Sequence, residues 1–579
     1  MPSVALNVEI ISSIISFAYW GENRHDVPLD LQTVHALALT CRAFLEPALD
    51  QLWRRQLTLF NLVKTLPKDS WEVFESEDDG PDGQKQVHIK YTRLNIPKDW
   101  ARFDYYAAKI RELGYDPRAP YGVDEWPSSR KVAVPQEFYQ YLCILRAPYE
   151  LLPNLRRVRW TTYEGELALR QHVYIFLNDP LVGLTLDFHD SLLDPSPSYS
   201  DATFIRYTLK AVIEQCPAFR DLELLWALFE GYADVLSEFI HSMPKLRTFY
   251  TNVRGMKEMD LVELASMPEL RRTRLYVDGK EFPWLTRAFS QPPFPSIVDL
   301  TLEAPSLDNC TAFLIALEMC KLETLIVICE ERPSGQMLRD FGSALVASCS
   351  HETLRVLSIS DSGTSSESAP SSADGTVNVE NLALLTSFPN IRALTLDLSG
   401  PYALDDAFPE KLLSTWPVLE KLSLGMKHGW GQRPALTFAG LAHIVKLCPR
   451  LEELSIAIDA SHPVDASIVA AVTPNMRVRS INLGDSYVVQ DEGGAVSLSR
   501  NLAALFPELE HISAKTPGSK AGEGDGAQEG DVPMEAPDQS ETHDQSEKGL
   551  ATEGFWREVE KQVATFALLR DMDFLMDLS

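Results

Sequence analysis

One apolar pattern recurs from residue 152 to about residue 514: apolar-x-x-apolar-x-apolar, with polar residues between. It is cleanest at Leu322-Glu323-Thr324-Leu325-Ile326-Val327, Leu354-Arg355-Val356-Leu357-Ser358-Ile359, Ile391-Arg392-Ala393-Leu394-Thr395-Leu396, Leu419-Glu420-Lys421-Leu422-Ser423-Leu424 and Leu451-Glu452-Glu453-Leu454-Ser455-Ile456. Further copies occupy residues 153–160, 244–249, 268–275 and 295–302, and weaker ones begin near Leu181, Phe219, Val478 and Leu509. Together they make about thirteen units, spaced by roughly 24 to 38 residues. The end of each copy alternates with period two, as a short strand does. Ahead of it runs a segment of helical spacing that stops at or before a proline. Leu441, Ile444, Val445 and Leu447 precede Pro449, and Leu382, Leu384, Leu385 and Phe388 precede Pro389. A residue before proline is pushed out of the helical region, so the proline marks a switch from helix to strand. One strand and one helix cannot bury their own apolar face, but stacked copies share a core. The pattern therefore predicts an α/β array of parallel strands and helices. A purely helical array is disfavoured by the period-two segments and by β-branched Ile326, Val327 and Ile328.

Residues 1–57 follow a different pattern. Ile10, Ile14 and Phe17 fall at i, i+4, i+7, with Ile11, Ile15 and Ala18 beside them, which predicts a helix with a broad apolar face. Val34, Leu37, Ala38 and Cys41 predict a second helix. Pro47 suits the first turn of a third, which carries Leu49, Leu52 and Trp53. Three helices this short cannot bury so much apolar surface among themselves, so part of it must face another surface. Residues 58–150 read as a connector. It holds an acidic, turn-rich loop at 75–83, expected to be mobile, and an amphipathic helix through Trp100, Phe103, Tyr106, Ala107, Ile110 and Leu113 that ends at Gly114.

Two insertions interrupt the repeats. Residues 361–376 are rich in Ser, Gly, Ala and Pro and read as a flexible loop. Residues 515–549 carry almost no apolar side chain and are expected to be a disordered acidic linker, because burial cannot offset the entropy of ordering them. Within 550–579, Phe555, Trp556, Val559, Val563, Phe566 and Leu569 form a helical apolar stripe. It is expected to dock back on the array as a C-terminal cap, with a free partner-binding peptide as the alternative.

Leu6-Asn7-Val8-Glu9-Ile10-Ile11, then Leu37-Ala38-Leu39-Thr40-Cys41-Arg42-Ala43-Phe44, then Leu49-Asp50-Gln51-Leu52-Trp53-Arg54 resemble an F-box. Asn7 stands where that family usually has proline, and the connection from Trp20 to Pro28 is long. The repeats resemble degenerate leucine-rich repeats of the helix-containing, ribonuclease-inhibitor-like kind, most lacking the usual Asn or Cys after the strand. The F-box resemblance implies docking onto a Skp-type adaptor and, through it, a cullin complex. The residues it assigns to adaptor contact are Leu6, Ile10, Ile11, Ile14, Leu37, Leu49, Leu52 and Trp53, with Trp53 as the anchor. A protein substrate would meet outward strand positions such as Arg157, Arg159, Thr324, Ile326, Ala393, Thr395, Lys421, Ser423, Glu453 and Ser455.

The chain has 579 residues, 45% of them hydrophobic, which supports a large folded core. Its 82 acidic against 53 basic residues, a net charge of −29, argue against general binding to nucleic acid or an anionic membrane. No apolar run approaches the roughly 20 residues that span a bilayer, and no secretory leader is seen. The eight cysteines show no Cys-x-x-Cys pair. Cys216, Cys349 and Cys448 read as small buried hydrophobes rather than metal ligands or disulfide partners, which fits the cytosol or nucleus.

No Gly-x-Ser-x-Gly, phosphate-binding Gly-Lys-Ser/Thr or His-Glu-x-x-His sequence occurs, and the histidines lack metal-ligand spacing. No cofactor and no catalytic residue is expected. The sequence reads as a substrate-recognition subunit of an SCF-type ubiquitin ligase. The alternative is a stand-alone leucine-rich-repeat scaffold whose first helices only cap the array. A hidden hydrolase would require a cleft of perturbed titratable groups.

Overall fold

A computed structural model describes residues 9–11, 13–15, 31–79, 85–114, 132–133, 136–146, 150–161, 167–187, 199–225, 233–279, 282, 292–317, 319–363, 375–461, 466–488, 492–514 and 554–566. Leu6, most of the 361–376 insertion and the 515–549 segment lie outside them. The chain is a mixed α/β protein built on parallel strands, in two compact units, Met1–Leu270 and Arg271–Ser579.

In the first unit, residues 9–11 and 13–15 are helical, followed by helices Leu31–Thr40 and Arg42–Arg54. Ile11, Ile15, Val34, Ala38 and Ala48 form their shared core, with Leu31, Leu37, Phe44 and Leu52 packed against it. The third helix starts at Arg42, so Pro47 sits inside it rather than in its first turn.

Helix Arg42–Arg54 passes directly into a two-residue strand, Arg55–Gln56, which pairs with Glu112–Leu113. Glu112–Leu113 pairs in turn with Arg157–Thr161. The parallel sheet thus starts ahead of the first repeat expected from sequence. The predicted helix ending at Gly114 is shorter, Trp100–Ala107, because residues 112–113 are taken into the sheet. Gly114 adopts φ 87°, and a Cβ there would sit 1.9 Å from the Arg159 carbonyl oxygen. Part of the acidic stretch is strand: Trp71–Asp79 runs antiparallel to Lys85–Tyr91, and residues 80–83 lie outside the described residues.

The sheet of this unit continues through Gly183–Asp187, Asp221–Leu225 and Thr248–Thr251, each parallel to the one before. The second unit adds Arg272–Tyr276, Asp299–Ala304, Thr324–Cys329, Val356–Asp361, Ala393–Asp397, Lys421–Leu424, Glu453–Ser455, Ser480–Asn482 and His511–Ser513, all parallel and paired in succession. All thirteen strand positions expected from the repeat are strands. The leucines of the repeat supply the buried face: Leu325, Val327, Leu357, Ile359, Leu394, Leu396, Leu422 and Leu424 are at most 1% exposed.

Helices fill the intervals, and prolines stop them as expected. Helix Tyr199–Gln215 ends before Pro217, Ala233–Ser242 before Pro244, Phe438–Leu447 before Pro449 and Glu492–Leu505 before Pro507. Asparagine side chains fasten one turn to the previous one: Asn178 Nδ2 donates to the Leu152 carbonyl at 3.0 Å, and Asn475 Nδ2 to the Leu451 carbonyl at 2.9 Å.

Residues 554–566 form a helix that buries Trp556, Val559 and Val563. It lies against the end of the second unit's sheet. Gln562 meets Ser499 of helix Glu492–Leu505 at 3.2 Å, and Ile512 N–H of the last strand donates to Glu560 Oε1 at 3.3 Å. This is the docked arrangement expected for the apolar stripe, whose last member, Leu569, lies outside the described residues, and Glu560 satisfies a donor at a strand edge.

Candidate interaction surfaces

The first helical segment is apolar on two sides. Ile11 and Ile15 are fully buried, whereas Ile10 and Ile14 are 55% and 44% exposed. Residues four apart share a side of a helix, so these two exposed isoleucines stand together. Leu39, at 73%, and Leu45, at 39%, are also exposed. Sequence reading missed both: Leu39 lies off the face of Val34, Leu37, Ala38 and Cys41, and Leu45 precedes Pro47, where the third helix was expected to begin. Leu37, Leu49 and Leu52 are half-buried. Among the residues assigned to adaptor contact, Ile11 needs correcting: packing inside the helical core leaves it no surface to offer.

Trp53 is half-buried. Its ring stacks on Tyr106, with centroids 4.3 Å apart and planes 27° apart, so one ring face is covered by its own chain. Around it the third helix is fastened to helix Trp100–Ala107 and the turn after it. Tyr105 Oη donates to Glu46, and Lys109 Nζ reaches Glu46 at 2.8 Å and Asp50 at 2.7 Å. Hydrogen bonds from Lys109 and then Tyr105 hold the Glu46 carboxyl below its ordinary range. Burial works to lower the Lys109 pKa, but its hydrogen bonds to Asp50 and Glu46 outweigh that and raise it. Glu46 therefore favours the native state above its ordinary pKa and Lys109 does so below its own, so the fastening loosens at both extremes of pH. Removing Trp53 would disturb this packing as well as any docking face.

The second surface is the strand face opposite the leucines. In the second unit, register aligns Ile326, Ser358, Thr395, Ser423, Ser455, Asn482 and Ser513 in one row across seven strands. Thr324, Val356, Ala393, Lys421, Glu453 and Ser480 form the next row. Four of the expected substrate positions, Ile326, Thr395, Ser423 and Ser455, thus share the first row, and Thr324, Ala393, Lys421 and Glu453 share the second. Lys421 and Glu453 pair with each other at 2.5 Å.

In the first unit, Arg157 reaches past Gly183 to pair with Asp221 at 2.7 Å, the strand between them offering no side chain in the way. Arg159 is half-buried on the same strand. Arg157 thus pairs within the sheet while 43% of its side chain stays exposed. The signal was Asp221, too distant in sequence to be read as a partner.

The arrangement closest to a catalytic set lies at Asp361. This carboxylate is fully buried and accepts from Ser399 N at 2.8 Å, Ser399 Oγ at 3.0 Å and Gly363 N at 2.9 Å. His428 Nε2 lies 3.0 Å from the Asp361 carbonyl oxygen. Ser399 thus gives its proton to the carboxylate and is not set against the imidazole, so the geometry ties loops together and pairs no nucleophile with a base. Among the described residues no group of three His, Cys, Asp or Glu could hold a metal ion, and no helix is long and apolar enough to cross a membrane.

No family model matches this chain, and no curated protein matches it. The fold and its surfaces define a class, an α/β protein of stacked parallel strands with an apolar helical module at its start.

Proposed function

We propose that the protein is a substrate-recognition subunit of an SCF-type ubiquitin ligase. Its N-terminal helices are an F-box that docks a Skp-type adaptor and through it a cullin complex, and its leucine-rich-repeat array presents the outward strand face to a protein substrate. The protein performs no bond chemistry. It raises the effective concentration of a target beside the ubiquitin carrier. The observation that carries this reading is the side-by-side exposure of Ile10 and Ile14 on a segment whose other apolar side is already filled. Apolar groups left outside a completed core mark a contact for another protein.

The test is recovery of a Skp-type adaptor by full-length protein, wild type against Ile10→Asp/Ile14→Asp. Loss of a hot-spot contact is about 2 kcal/mol or more, so adaptor affinity is expected to fall roughly 30-fold or further. Substitutions at exposed positions leave stability within about 0.5 kcal/mol, so the melting curve should not move. Full adaptor recovery by a folded double variant would sink the reading.

One observation favours the scaffold alternative. The third helix continues into the sheet without a break at Arg54–Arg55, as an N-terminal cap would. A pure cap predicts no adaptor capture by either protein.

A further inference from the structure

Cys320 and Cys349 are 29 positions apart, yet their sulfurs lie 3.2 Å from each other. Both are buried, Cys320 at 7% exposure and Cys349 at 1%. Cys349 closes helix Gly335–Ser348, and Cys320 follows helix Leu307–Leu317 one repeat earlier. Backbone bonds hold the two segments side by side: Cys320 N–H donates to the Ser348 carbonyl at 2.8 Å, and Ser350 N–H to the Cys320 carbonyl at 2.9 Å. The result is a parallel bridge between the two cysteines. Backbones paired this way lie about 4.8 Å apart. A disulfide spans Cα separations of about 4.4–6.8 Å. The chain therefore already stands at cross-linking distance, with nothing between the sulfurs.

We infer that Cys320 and Cys349 are a thiol–disulfide modification site that joins successive repeats when a peroxide-class oxidant reaches them. The Cys320 thiolate attacks one peroxide oxygen. The O–O bond breaks, hydroxide leaves and is protonated to water, and Cys320 becomes a sulfenic acid. Cys349 then loses its proton and attacks that sulfur. The S–S bond forms, the S–O bond breaks, and a second water leaves. Two thiols and one hydrogen peroxide give one disulfide and two waters, with two electrons passing from sulfur to oxygen. A dithiol reverses the reaction by exchange.

The order of attack follows from the surroundings. Cys320 Sγ lies 3.2 Å from the Ser348 carbonyl, to which it can donate, and 3.2 Å from Cys349 Sγ; the contact with Cys349 and nearby backbone N–H groups hold its pKa below the ordinary thiol value against burial. Cys349 is held above its own by Cys320 and by burial. Cys320 is also the more exposed of the two. The bond would pin the approaches to strands Thr324–Cys329 and Val356–Asp361. It does not depend on the ligase reading.

The test uses the full chain at hydrogen peroxide concentrations that leave its circular dichroism unchanged. The treated protein is alkylated without reduction, digested and mapped. The expected result is a joined peptide pair containing Cys320 and Cys349 that dithiothreitol separates. Recovery of both cysteines as separately alkylated peptides after peroxide would overturn the site. In Cys349→Ser, peroxide should leave a Cys320 sulfenic acid that dimedone traps. No adduct there would overturn the assignment of Cys320 as the attacking thiol.

Discussion

Trp430→Ala is expected to lower the chain's unfolding midpoint more than any exposed substitution, at a cost of about 3–5 kcal/mol. Trp430 is fully buried, although it sits in the loop between strand Lys421–Leu424 and helix Phe438–Leu447. Its Nε1 donates to the Leu424 carbonyl at 2.9 Å, and its ring stacks on Tyr402 at 5.4 Å. Tyr402 Oη in turn donates to the Leu396 carbonyl at 2.8 Å and accepts from Leu398 N at 3.0 Å. The Trp430 N–H donates to Asp485 Oδ2 at 3.0 Å. Trp430 therefore ties together groups from three repeats, those of strands Ala393–Asp397, Lys421–Leu424 and Ser480–Asn482. Truncation leaves a cavity and strands a buried carbonyl, both costly. Total stabilities are about 5–15 kcal/mol, so the loss is a large share. Denaturant titration followed by circular dichroism checks it. An unchanged midpoint and slope would mean that this loop is not part of the core.

Arg55→Met is expected to cost a similar amount, about 3–5 kcal/mol, for an electrostatic reason. Arg55 and Glu112 are 3% and 5% exposed, and Arg55 Nε lies 3.1 Å from Glu112 Oε2. Taking away the guanidinium leaves a buried carboxylate without its nearer cation, Arg54 Nε standing 4.0 Å from Glu112 Oε1. Replacing both by methionine removes the charge to be solvated, and stability should return most of the way. The two single variants and the double variant, compared by thermal unfolding, separate the pair from its parts. If the double variant is no more stable than Arg55→Met, the ion pair is not the cause. The same geometry bears on truncation. Deleting residues 1–57 would remove the Arg55–Gln56 strand along with the helices, so it cannot distinguish a docking module from a cap.

Why the strands of the repeat could be read from sequence, and their neighbours could not, has a physical basis. Most repeat strands carry two or three apolar residues at period two and often a proline ahead of them, so local signals agree. Arg55–Gln56 and Glu112–Leu113 are two residues long and cannot display a period; tertiary pairing alone makes them strands. The helical spacing through Ile110 and Leu113 was genuine burial, but by a turn and a strand rather than a helix. Of the candidate contact residues, Ile10 and Ile14 were legible because the segment had more apolar surface than three helices can use. Trp53 against Tyr106 and Arg157 against Asp221 were not, since both depend on partners more than 50 residues away. The thiol pair was hidden for the same reason: 29 residues of sequence collapse into one backbone bridge.

The helix at 554–566 covers the open edge of the last strand, where chain-to-chain pairing would begin. A row of parallel strands has no natural stopping point, and its last member is a template for any other chain with unpaired amides. Here a carboxylate from Glu560 occupies the Ile512 amide while Trp556 and its neighbours seal the apolar layer behind it. A protein cut after residue 514 should keep its sheet yet grow into oligomers as concentration rises, which light scattering would register. A shortened chain that stays monomeric at all concentrations would show that the terminal strand is harmless uncovered.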